Sequence, residues 1–541
     1  MSKLKTALLI HQDQPSSLDL QLLALSRNSS KYSIDLILRY DSVSLSLKEK
    51  FQKLIFTIVL LVEGMIYKKH SFDHGNHEAG DNDFQNIPFL SISTEANPSG
   101  DLMLSEESSS LLLDYKLDLI VCTHLLSIPS ELFQFSAHGL VKIIFGEGPI
   151  DLVNQAAGFF ETAYKISTSS FHIVTSGKNQ LYCPKFQSLE MATSFPFSYN
   201  NDRLQRKSIH FLHQFIEFAG TSEASEYKQK NLKEIGIAQL NYPSFRCSVK
   251  ALFTLVEITT SKITSKITKK YYRWSIGFAE ISTPELLGLE QLNIIKNRPN
   301  HYYADPFLIK HNKLTYCFAE DYDYTTSKGS IRAFQLEGKG YIDLGLALEE
   351  PFHISYPNVF EVDGALYMLP ETSANRTIQL YKCQDFPLIW VQHKTLMKDI
   401  SAADTNIFYD DGRWWMFTNI DTANIGDHQS ELHLFYADHF DSEFWTPHPK
   451  NPVVTSSLQA RNAGFASSDK ARYRVFQKQD FNFYGRSIGI AKINLLDPSE
   501  YEEEVVTSIR ANFIENIQGT HHFHRIEDMA ALDFNRFETL E

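Results

Sequence analysis

The stretch HYYADPFLIKHNKLTYCFAED, residues 301–321, contains two apolar segments joined by a short polar turn, which is the pattern of a β-hairpin. Asp305 stands directly before Pro306, where the first apolar segment begins. A buried carboxylate without a partner is costly, so a charge at this position needs solvent or a polar neighbour. The stretch therefore raises the question of which groups Asp305 faces.

The same pattern occurs four more times toward the C-terminus. The further copies are SYPNVFEVDGALYMLPET (355–372), ADTNIFYDDGRWWMFTN (403–419), ARNAGFASSDKARYRVFQKQD (460–480) and GTHHFHRIEDMAALDF (519–534). In all five copies a tight turn separates two apolar strands, and the turns lie near Asn312, Asp363, Asp411, Asp469 and Asp528. Asp-Gly pairs at two of these turns are strong hairpin signals. Five copies with a period of about 50 residues predict an all-β five-bladed β-propeller over residues 296–541.

A polar residue stands at the start of the first strand of each repeat, and we call these residues the polar heads. Their recurrence predicts a common site. In a propeller the innermost strand of each blade lines the central channel, so equivalent residues meet at one mouth of that channel. The strand heads are Asp305, Tyr356 with Asn358, Asp404, Arg461 and His521, and the returning strands add Glu320, Glu371 and Gln477. We expect these side chains to form a polar funnel, in which Asp305 is a site residue.

Several of these residues also fit a purely structural role. Asp305 and Asp404 could cap the backbone or a turn between blades, and Arg461 could form an ion pair between blades or clamp a carboxylate or phosphate. The histidines at 521, 522 and 524 resemble a metal patch, but the sequence places no carboxylate at ligand spacing from them. We therefore predict no metal and no cofactor.

Residues 1–205 have a different organisation. Short apolar runs such as KTALLI, SIDLILRY and LDLIVCTH alternate with helix-length stretches, which is typical of an α/β domain with a mostly parallel sheet. The order of elements resembles the formyltransferase fold. That resemblance implies a catalytic loop with an Asn/His pair, but the loop reads VKIIFGEG, with Ile144 and Phe145 where the histidine is expected. We therefore predict a catalytically silent domain, and sugar N-formylation is the less favoured alternative.

Residues 206–295 are predicted to be a helical connecting region. In SVKALFTLVEITTSKITSKITKK (248–270), apolar residues recur at helical spacing and Lys262, Lys266 and Lys269 share one face. A basic amphipathic helix over 248–272 is compatible with contact at an anionic membrane surface, but packing between two domains with a solvated lysine face is the favoured interpretation. The sequence leaves both interpretations open.

Composition limits the partners and the compartment. Lys and Arg total 51 against 65 Asp and Glu, a formal net charge of −14, without a long basic block, which argues against a nucleic-acid partner. The five cysteines are scattered and form no CxxC pair, as in a reduced setting. The apolar run ALLI near the N-terminus is too short for a signal peptide. We expect a cytoplasmic location, either free or peripheral at the inner face of the membrane.

Two resemblances bear on the C-terminal half. The Asp-Pro head, the aspartate of DTNIFYDDGRWWMF and a blade-end glutamate resemble the five-bladed glycosidases of the arabinanase, xylosidase and levansucrase type. That resemblance implies Asp305 as the base, Asp404 as the orienting carboxylate and Glu371 or Glu320 as the general acid.

The second resemblance covers residues 274–541. The phrases ADPFLI, FHISYPNVFE, YMLPET, GRWWMFT, ARNAG and GTHHF resemble the propeller family named after the N-terminal part of plant glucosamine inositolphosphorylceramide transferases. The bacterial form of this family belongs to surface-polysaccharide gene clusters and is often fused to a formyltransferase-like domain. The family's RPAQD is RVFQKQD here, which keeps Arg474 and Gln477 but displaces the aspartate to Asp480.

These features together predict a carbohydrate-active enzyme of surface-polysaccharide or glycolipid assembly that transfers a sugar or related group at the propeller mouth. Its expected substrate is a carbohydrate or a nucleotide sugar. The predicted catalytic residues are Asp305, Glu320, Glu371 and Asp404, and the predicted substrate-binding residues are Tyr356, Asn358, Arg461, Arg474, Gln477, Tyr484 and His521. A glycoside hydrolase with the same carboxylates and a non-catalytic glycan-binding scaffold are the alternatives, and the oligomeric state is left open.

Overall fold

The computed structural model describes residues 3–11, 15–40, 46–67, 84, 86–96, 102–123, 131–146, 156–177, 183–221, 242–280, 292–468, 471–526 and 529–539. The predicted turns at Asp469 and Asp528 lie outside this part of the chain. Two compact units, residues 1–257 and 258–541, are described separately below.

The first unit is built on a central sheet. Its strands are β1 Leu4–His11, β2 Tyr32–Tyr40, β3 Phe89–Ile92, β4 Thr94–Ala96, β5 Leu102–Leu104, β6 Leu119–Cys122, β7 Leu140–Phe145, β8 Thr168–Ser176 and β9 Ser188–Ala192. Seven of them pair in the order β3-β2-β1-β6-β7-β8-β9, and β4 pairs with β5. The four pairings from β3 to β7 are parallel and the last two are antiparallel. The prediction of an α/β domain with a mostly parallel sheet is therefore confirmed, whereas its likeness to a formyltransferase stays a prediction.

Helices accompany this sheet. They are α1 Ser17–Arg27, α2 Leu47–Ile66, α3 Glu106–Tyr115, α4 Phe159–Tyr164, α5 Phe197–Ala219 and α6 Phe245–Thr268, which continues past the boundary between the units. None of the described helices is both long enough and apolar enough to cross a membrane. Ile144 and Phe145, at the end of β7, are buried, as expected for apolar residues in place of a polar catalytic pair.

One charged residue fixes the direction of α2. Glu63 is buried, and its carboxylate accepts the backbone N–H groups of Phe197 and Ser198 at 2.9 Å each. These are the first residues of α5, whose N-terminal N–H groups have no partner within the helix. Glu63 therefore caps α5, which explains a buried carboxylate in the apolar second half of α2.

The second unit consists of short antiparallel sheets. Its strands before residue 400 are β10 Lys270–Glu280, β11 Asn293–Ile295, β12 His301–His311, β13 Leu314–Asp323, β14 Lys328–Glu337, β15 Gly340–Leu348, β16 Ser355–Val362, β17 Ala365–Glu371, β18 Thr377–Asp385 and β19 Ile389–Lys398. The later strands are β20 Ala402–Asp410, β21 Arg413–Ile420, β22 His433–Ala437, β23 Thr446–Pro447, β24 Asn462–Ser468, β25 Ala471–Asp480, β26 Phe483–Leu496, β27 Tyr501–Arg510, β28 Ile517–Gly519, β29 Phe523–Ile526 and β30 Met529–Thr539.

Twenty of these strands form five blades of four strands each, and β28 pairs with β30 outside this pattern. The blades are β12–β15, β16–β19, β20–β23, β24–β27 and a fifth in which β29 and β30 continue into β10 and β11. Within the described residues, one parallel bridge, Ala466 to Arg525, joins the fourth and fifth blades. Five hydrophobic clusters lie between successive blades, including one between the fifth and the first. The ring is therefore closed, and the predicted five-bladed β-propeller is confirmed.

The fifth blade differs from the sequence-based prediction in one respect. The predicted helical connecting region ran to residue 295, but β10 and β11, residues 270–280 and 293–295, are strands of the propeller. β10 pairs along its whole length with β30, from Lys270 with Thr539 to Glu280 with Met529. The partner lies some 250 residues away in sequence, so no local pattern reports this pairing, which closes the ring through hydrogen bonds between its two ends.

The polar heads also lie elsewhere than predicted. Asp305, Tyr356 and Asp404 are inside β12, β16 and β20 rather than at their starts, and each lies at an interruption of the strand register. All three have positive φ, 52°, 49° and 47°. At such a bulge one residue leaves the ladder, so Pro306, which has no N–H to donate, is tolerated there. The repeated bulge turns these three side chains toward the channel.

Candidate active site at the propeller mouth

The innermost strands and their returning partners bring seven ionisable side chains together. We call them the mouth cluster, and they are Asp305, Glu320, Glu371, Asp404, Arg461, His521 and Asp533. Their electrostatic interactions connect them: Asp305 interacts with Arg461 and His521, and Glu320 interacts with all four other carboxylates. Asp305, Glu320, Asp404 and Asp533 are at most 5% exposed. Buried charges at this density require mutual compensation.

Asp305 is held by the fifth blade. Its carboxylate Oδ1 lies 3.5 Å from Nε2 of His521 and 3.5 Å from Nδ1 of His522. Its backbone N–H donates to Oδ2 of Asp533 at 3.1 Å. Asp533 Oδ2 also lies 2.8 Å from Nδ1 of His521, and its Oδ1 accepts the backbone N–H groups of His521 and His522 at 2.9 Å each. Asp533 thereby fixes the imidazole of His521 against Asp305.

This arrangement keeps Asp305 ionised. Burial alone would raise the pKa of Asp305, but hydrogen bonding from His522 and the charges of His521, His522 and Arg461 outweigh it, so the pKa is lowered. Burial disfavours the imidazolium of His521, yet the charge of Asp533 prevails and raises its pKa. Asp305 therefore presents a carboxylate that can accept a proton or attack an electrophilic carbon.

The opposite side of the cluster is organised by Arg461. Its Nε lies 2.6 Å from Oδ2 of Asp404, and one terminal nitrogen lies 3.8 Å from Oε2 of Glu371. Glu371 Oε2 in turn accepts the backbone N–H of Asp404 at 3.3 Å, and its Oε1 accepts the hydroxyl of Ser373 at 2.6 Å. One guanidinium thus compensates two carboxylates from neighbouring blades.

Two carboxyl groups of the cluster hold their protons more tightly than usual. Burial raises the pKa of Asp404 to about 7, against the lowering effect of Arg461 and with further raising by Glu371 and Asp305. Burial and the negative charges of Asp305 and Glu371 raise the pKa of Glu320 well above its ordinary value. The site therefore combines an ionised carboxylate, Asp305, with a carboxylic acid that keeps its proton, Glu320, which is the arrangement that general acid–base catalysis needs.

Gln477 and Tyr484 border Arg461 at the mouth. Gln477 Nε2 lies 3.3 Å from Oδ2 of Asp404 and 3.2 Å from the hydroxyl of Tyr484, and the guanidinium of Arg461 lies 5.1 Å from the centre of the Tyr484 ring. Tyr484 is 37% exposed, and Glu371 and Arg461 are partly exposed. The cluster is therefore open to solvent on this side, where a ligand could enter.

Aromatic side chains lie beside the carboxylates. The rings of Tyr302 and Tyr322 stack with centres 4.7 Å apart, and Tyr324 packs edge-on against both. Glu320 and Asp305 interact electrostatically with Tyr302. On the fifth blade, Trp274 of β10 packs on the imidazole of His521 with ring centres 3.9 Å apart. The three half-buried tyrosine rings lie next to polar groups and suit ligands with both apolar and hydroxyl faces.

Tyr356 and Asn358 lie in a buried network that crosses the channel. The Tyr356 hydroxyl accepts the backbone N–H of Gly464 at 2.7 Å and the side-chain amide of Asn406 at 3.0 Å, and Asn358 donates to Asn406 at 2.9 Å. Gly464 has a φ of 101°, and a Cβ there would meet the backbone oxygen of Phe523 at 2.2 Å. Tyr356 and Asn358 therefore join three blades.

Replacing Tyr356 with Phe tests this structural role. The change leaves the buried N–H of Gly464 without an acceptor, so we expect the free energy of unfolding to fall by about 1–3 kcal/mol. Tyr409→Phe, at a hydroxyl that is on an exposed side chain, is the matched control and should be near neutral. Denaturant titration measures both. An unchanged midpoint for Tyr356→Phe would contradict the structural role.

Arg474 is not part of the mouth cluster. Its Nε donates to Oε2 of Glu503 at 2.7 Å, and its terminal nitrogens donate to the backbone oxygens of Gln459 and Ala460. Only 1% of Arg474 is exposed. All of these partners belong to the fourth blade or the segment leading into it, so the guanidinium that the sequence assigned to substrate holds this blade together.

One subset of the cluster has the donors of a metal site. Ligand atoms of Asp305, His521 and Asp533 all lie within 4.8 Å of one another. The sequence placed no carboxylate at ligand spacing from the histidines, but the fold supplies two from distant strands. His524 is different, because its Nδ1 accepts the backbone N–H of Leu308 at 3.1 Å and burial lowers its pKa to about 3. The prediction that no metal binds stays a prediction.

Sequence reasoning missed Asp533, Asn406 and His522. Asp533 follows the apolar run MAAL in the fifth repeat, and Asn406 follows Asp404 at the bulge of the third. Both are polar residues inside apolar strands, which is the signal that singled out Asp305. Applied to the second strand of each repeat, the same rule would have found Asp533. His522 was considered only as part of the histidine patch.

The fold and the cluster define a class: a five-bladed propeller whose mouth holds buried carboxylates compensated by an arginine and a histidine. Residues 290–535 match the family described as glucosamine inositolphosphorylceramide transferase 1, N-terminal. The recognition made from the sequence is thereby confirmed for the propeller.

Curated relatives extend this finding. Glucosamine inositolphosphorylceramide transferase 1 of Arabidopsis thaliana is 34% identical over 220 residues, which cover 40% of this chain and 28% of the relative. The protein of the same name from Oryza sativa subsp. japonica is 33% identical over 210 residues, which cover 38% of this chain and 28% of the relative. The match thus spans little more than a quarter of these relatives.

Solved structures that resemble the chain include two α-L-arabinofuranosidases. An α-L-arabinofuranosidase from Lactobacillus brevis has a TM-score of 0.34 at 13% identity and covers 44% of this chain and 84% of that chain. The catalytic domain of the Coprinopsis cinerea GH62 α-L-arabinofuranosidase has a TM-score of 0.33 at 11% identity and covers 49% and 97%. The five-bladed architecture rests on the strand pairings.

Proposed function

We propose that the propeller mouth is the active site of a carbohydrate-active enzyme that transfers a glycosyl group onto a glycolipid or surface-polysaccharide acceptor. The observation that carries this proposal is the convergence of Asp305, Glu320, Glu371 and Asp404 on one partly open mouth, with Arg461 between two of them. Cleavage of a glycosidic bond commonly uses a carboxylic acid on one side of the bond and a carboxylate on the other.

The protonation states support distinct roles in such a reaction. Glu320 holds its proton and can donate it to the oxygen of the leaving group. Asp305 remains ionised and can take the proton of an acceptor hydroxyl as that oxygen forms the new bond to the sugar carbon. Asp404 and Arg461 hold each other in position through their ion pair, and their charges contribute to the electrostatic potential at the site. The proton balance then closes, because one proton is given and one is taken.

The choice of a transferase over other activities rests on the relatives. Their name is glucosamine inositolphosphorylceramide transferase, and this supports group transfer in glycan assembly. A glycoside hydrolase is the second candidate, because the same carboxylates would serve equally with water as the acceptor. A non-catalytic glycan-binding scaffold is the third, and it predicts binding without turnover.

Binding and turnover measurements on the whole protein separate these candidates. A panel of nucleotide sugars, free glycans and formyl-folate is screened by thermal shift, with calorimetry on each hit, for the wild type and for Asp305→Asn/Glu371→Gln. Saturable binding of a nucleotide sugar, together with sugar transfer that the double substitution abolishes, supports the transferase. Binding of free glycans with release of reducing sugar indicates the hydrolase. Glycan binding without turnover indicates the scaffold and contradicts our proposal.

A further inference from the structure

Helix α2, Leu47–Ile66, exposes an apolar stripe on the first unit. Leu47, Phe51, Leu54, Ile58, Leu61 and Met65 are between 42% and 85% exposed. Their spacing alternates between four and three residues, so they lie along one face of the helix. Solvent exposure of so many large apolar side chains in one row is unfavourable and marks an interaction surface.

The stripe faces outward because the other side of α2 is anchored. Phe56 and Val59 are at most 4% exposed and pack into the core of the unit, and Glu63 caps α5 as described above. These three residues fall between the members of the stripe, on the opposite face of the helix. Rotation of α2 to bury the stripe would break this cap and expose the core residues.

The first half of α6 extends the stripe. Phe245, Phe253 and Val256 are at least 55% exposed. The start of α6 lies against α2: the rings of Phe51 and Phe245 are centred 6.4 Å apart, and the ring of Phe56 is centred 6.3 Å from that of Tyr242, which precedes α6. We call the exposed apolar residues of α2 and of this half of α6 the apolar surface.

The charges around the apolar surface are positive in an acidic protein. α2 and the part of α6 that lies in the first unit, residues 245–257, carry five basic residues, Lys48, Lys50, Lys53, Arg246 and Lys250, against three acidic ones, Glu49, Glu63 and Glu257. Two of the acidic residues are already engaged, because Glu63 caps α5 and Glu257 pairs with Lys165. The whole chain has a formal net charge of −14. This local excess of positive charge suits an anionic partner.

We propose that the apolar surface docks onto a membrane that contains anionic lipids, with α2 lying in the interface plane. Apolar side chains would enter the boundary between headgroups and acyl chains while the exposed lysines of the first two turns, Lys48, Lys50 and Lys53, contact lipid phosphates. A second copy of the chain would bring like charges together and fits less well. This inference does not depend on the proposed function.

Vesicle sedimentation with the full chain tests the proposal. We expect the wild type to sediment with vesicles of phosphatidylcholine containing about 30% phosphatidylglycerol, and only weakly with pure phosphatidylcholine. Leu54→Gln/Leu61→Gln should lower the partition coefficient at least about tenfold, since two apolar side chains no longer enter the lipid. Lys48→Gln/Lys50→Gln/Lys53→Gln should lower it by at least about tenfold and reduce its salt dependence.

The matched control changes apolar residues that are equally exposed elsewhere. Ile342→Gln/Val506→Gln alters two propeller residues that are 46% and 49% exposed and should leave sedimentation unchanged. Failure of the wild type to sediment with anionic vesicles would overturn the proposal, as would equal sedimentation of Leu54→Gln/Leu61→Gln. Sedimentation velocity adds a further check: a dimer of the wild type that dissociates in this variant would assign the surface to a second copy instead.

Discussion

Asp305→Asn is expected to reduce turnover by about 10²- to 10⁴-fold while leaving the affinity for the donor nearly unchanged, with whichever nucleotide sugar the wild type uses. Asparagine has the shape of aspartate and tolerates the positive φ of 52° at this bulge, so the fold is retained. What is lost is the carboxylate that His521 and His522 keep ionised. Initial rates at saturating donor, together with calorimetric binding, separate the loss of chemistry from the loss of binding.

The same variant should change the pH profile. The charge of Asp305 helps to raise the pKa of Glu320, so its removal lowers that pKa and moves the alkaline limb of the rate profile to lower pH. Asp363→Asn is the control, because Asp363 also has a positive φ, 49°, but is exposed in a hairpin turn. Wild-type turnover by Asp305→Asn would show that the chemistry, if any, takes place elsewhere.

The architecture of the propeller could be predicted because its signals are local. The Asp-Gly pairs at 363 and 411 require positive φ at both positions, and the structure has 49° and 73° at the first and 43° and 83° at the second. Each pair fixes the register of one hairpin, and the repeat then fixes the number of blades. The closing strand β10 could not be predicted in this way, because it follows directly on a helical pattern and its partner is β30.

The sequence predicts which residues lie at the site but not the role of each residue, for a related reason. Asp305, Tyr356 and Asp404 occupy the same position in three repeats, so the sequence treats them alike. Their partners differ: Asp305 meets His521, Asp404 meets Arg461, and the longer side chain of Tyr356 reaches Asn406 and Gly464. A side chain's partners on other blades decide its role, and a single repeat does not contain them.

Arg474 is a second case in which the local sequence does not reveal the partners of a side chain. Its position in the sequence matches the family wording, and an arginine near the mouth is a reasonable candidate for binding phosphate. Glu503, 29 residues further on, accepts from its Nε, and backbone oxygens take its remaining nitrogens. An arginine whose donors are already occupied within its blade has little left for a ligand. The distinction between Arg461 and Arg474 is thus made by long-range pairing alone.

Arg461→Met is expected to lower the free energy of unfolding by about 3–5 kcal/mol, because it leaves Asp404 and Glu371 without their common cation. The size of the side chain is nearly kept, so most of the loss reflects uncompensated charge rather than a cavity. Asp404→Asn in the same chain should recover part of the loss, since it removes one of the two carboxylates. Arg486→Met, which breaks an exposed pair with Asp480, is the control and should cost less than about 1 kcal/mol.

The pH dependence of the stability of Arg461→Met distinguishes a charge effect from a packing effect. The pKa of Asp404 is about 7 with Arg461 present, above its unfolded value, so its contribution to stability is lost as the pH rises through that value. Arg461 lowers this pKa, and without it the folded protein keeps the proton to higher pH. The deficit of the variant should therefore widen as the pH rises above about 7 and shrink toward about pH 5. Urea titrations at several pH values measure this deficit.

A deficit that is equal at every pH and is not reduced by Asp404→Asn would mean that Arg461 acts through its packing on Tyr484, 5.1 Å away, and not through its charge.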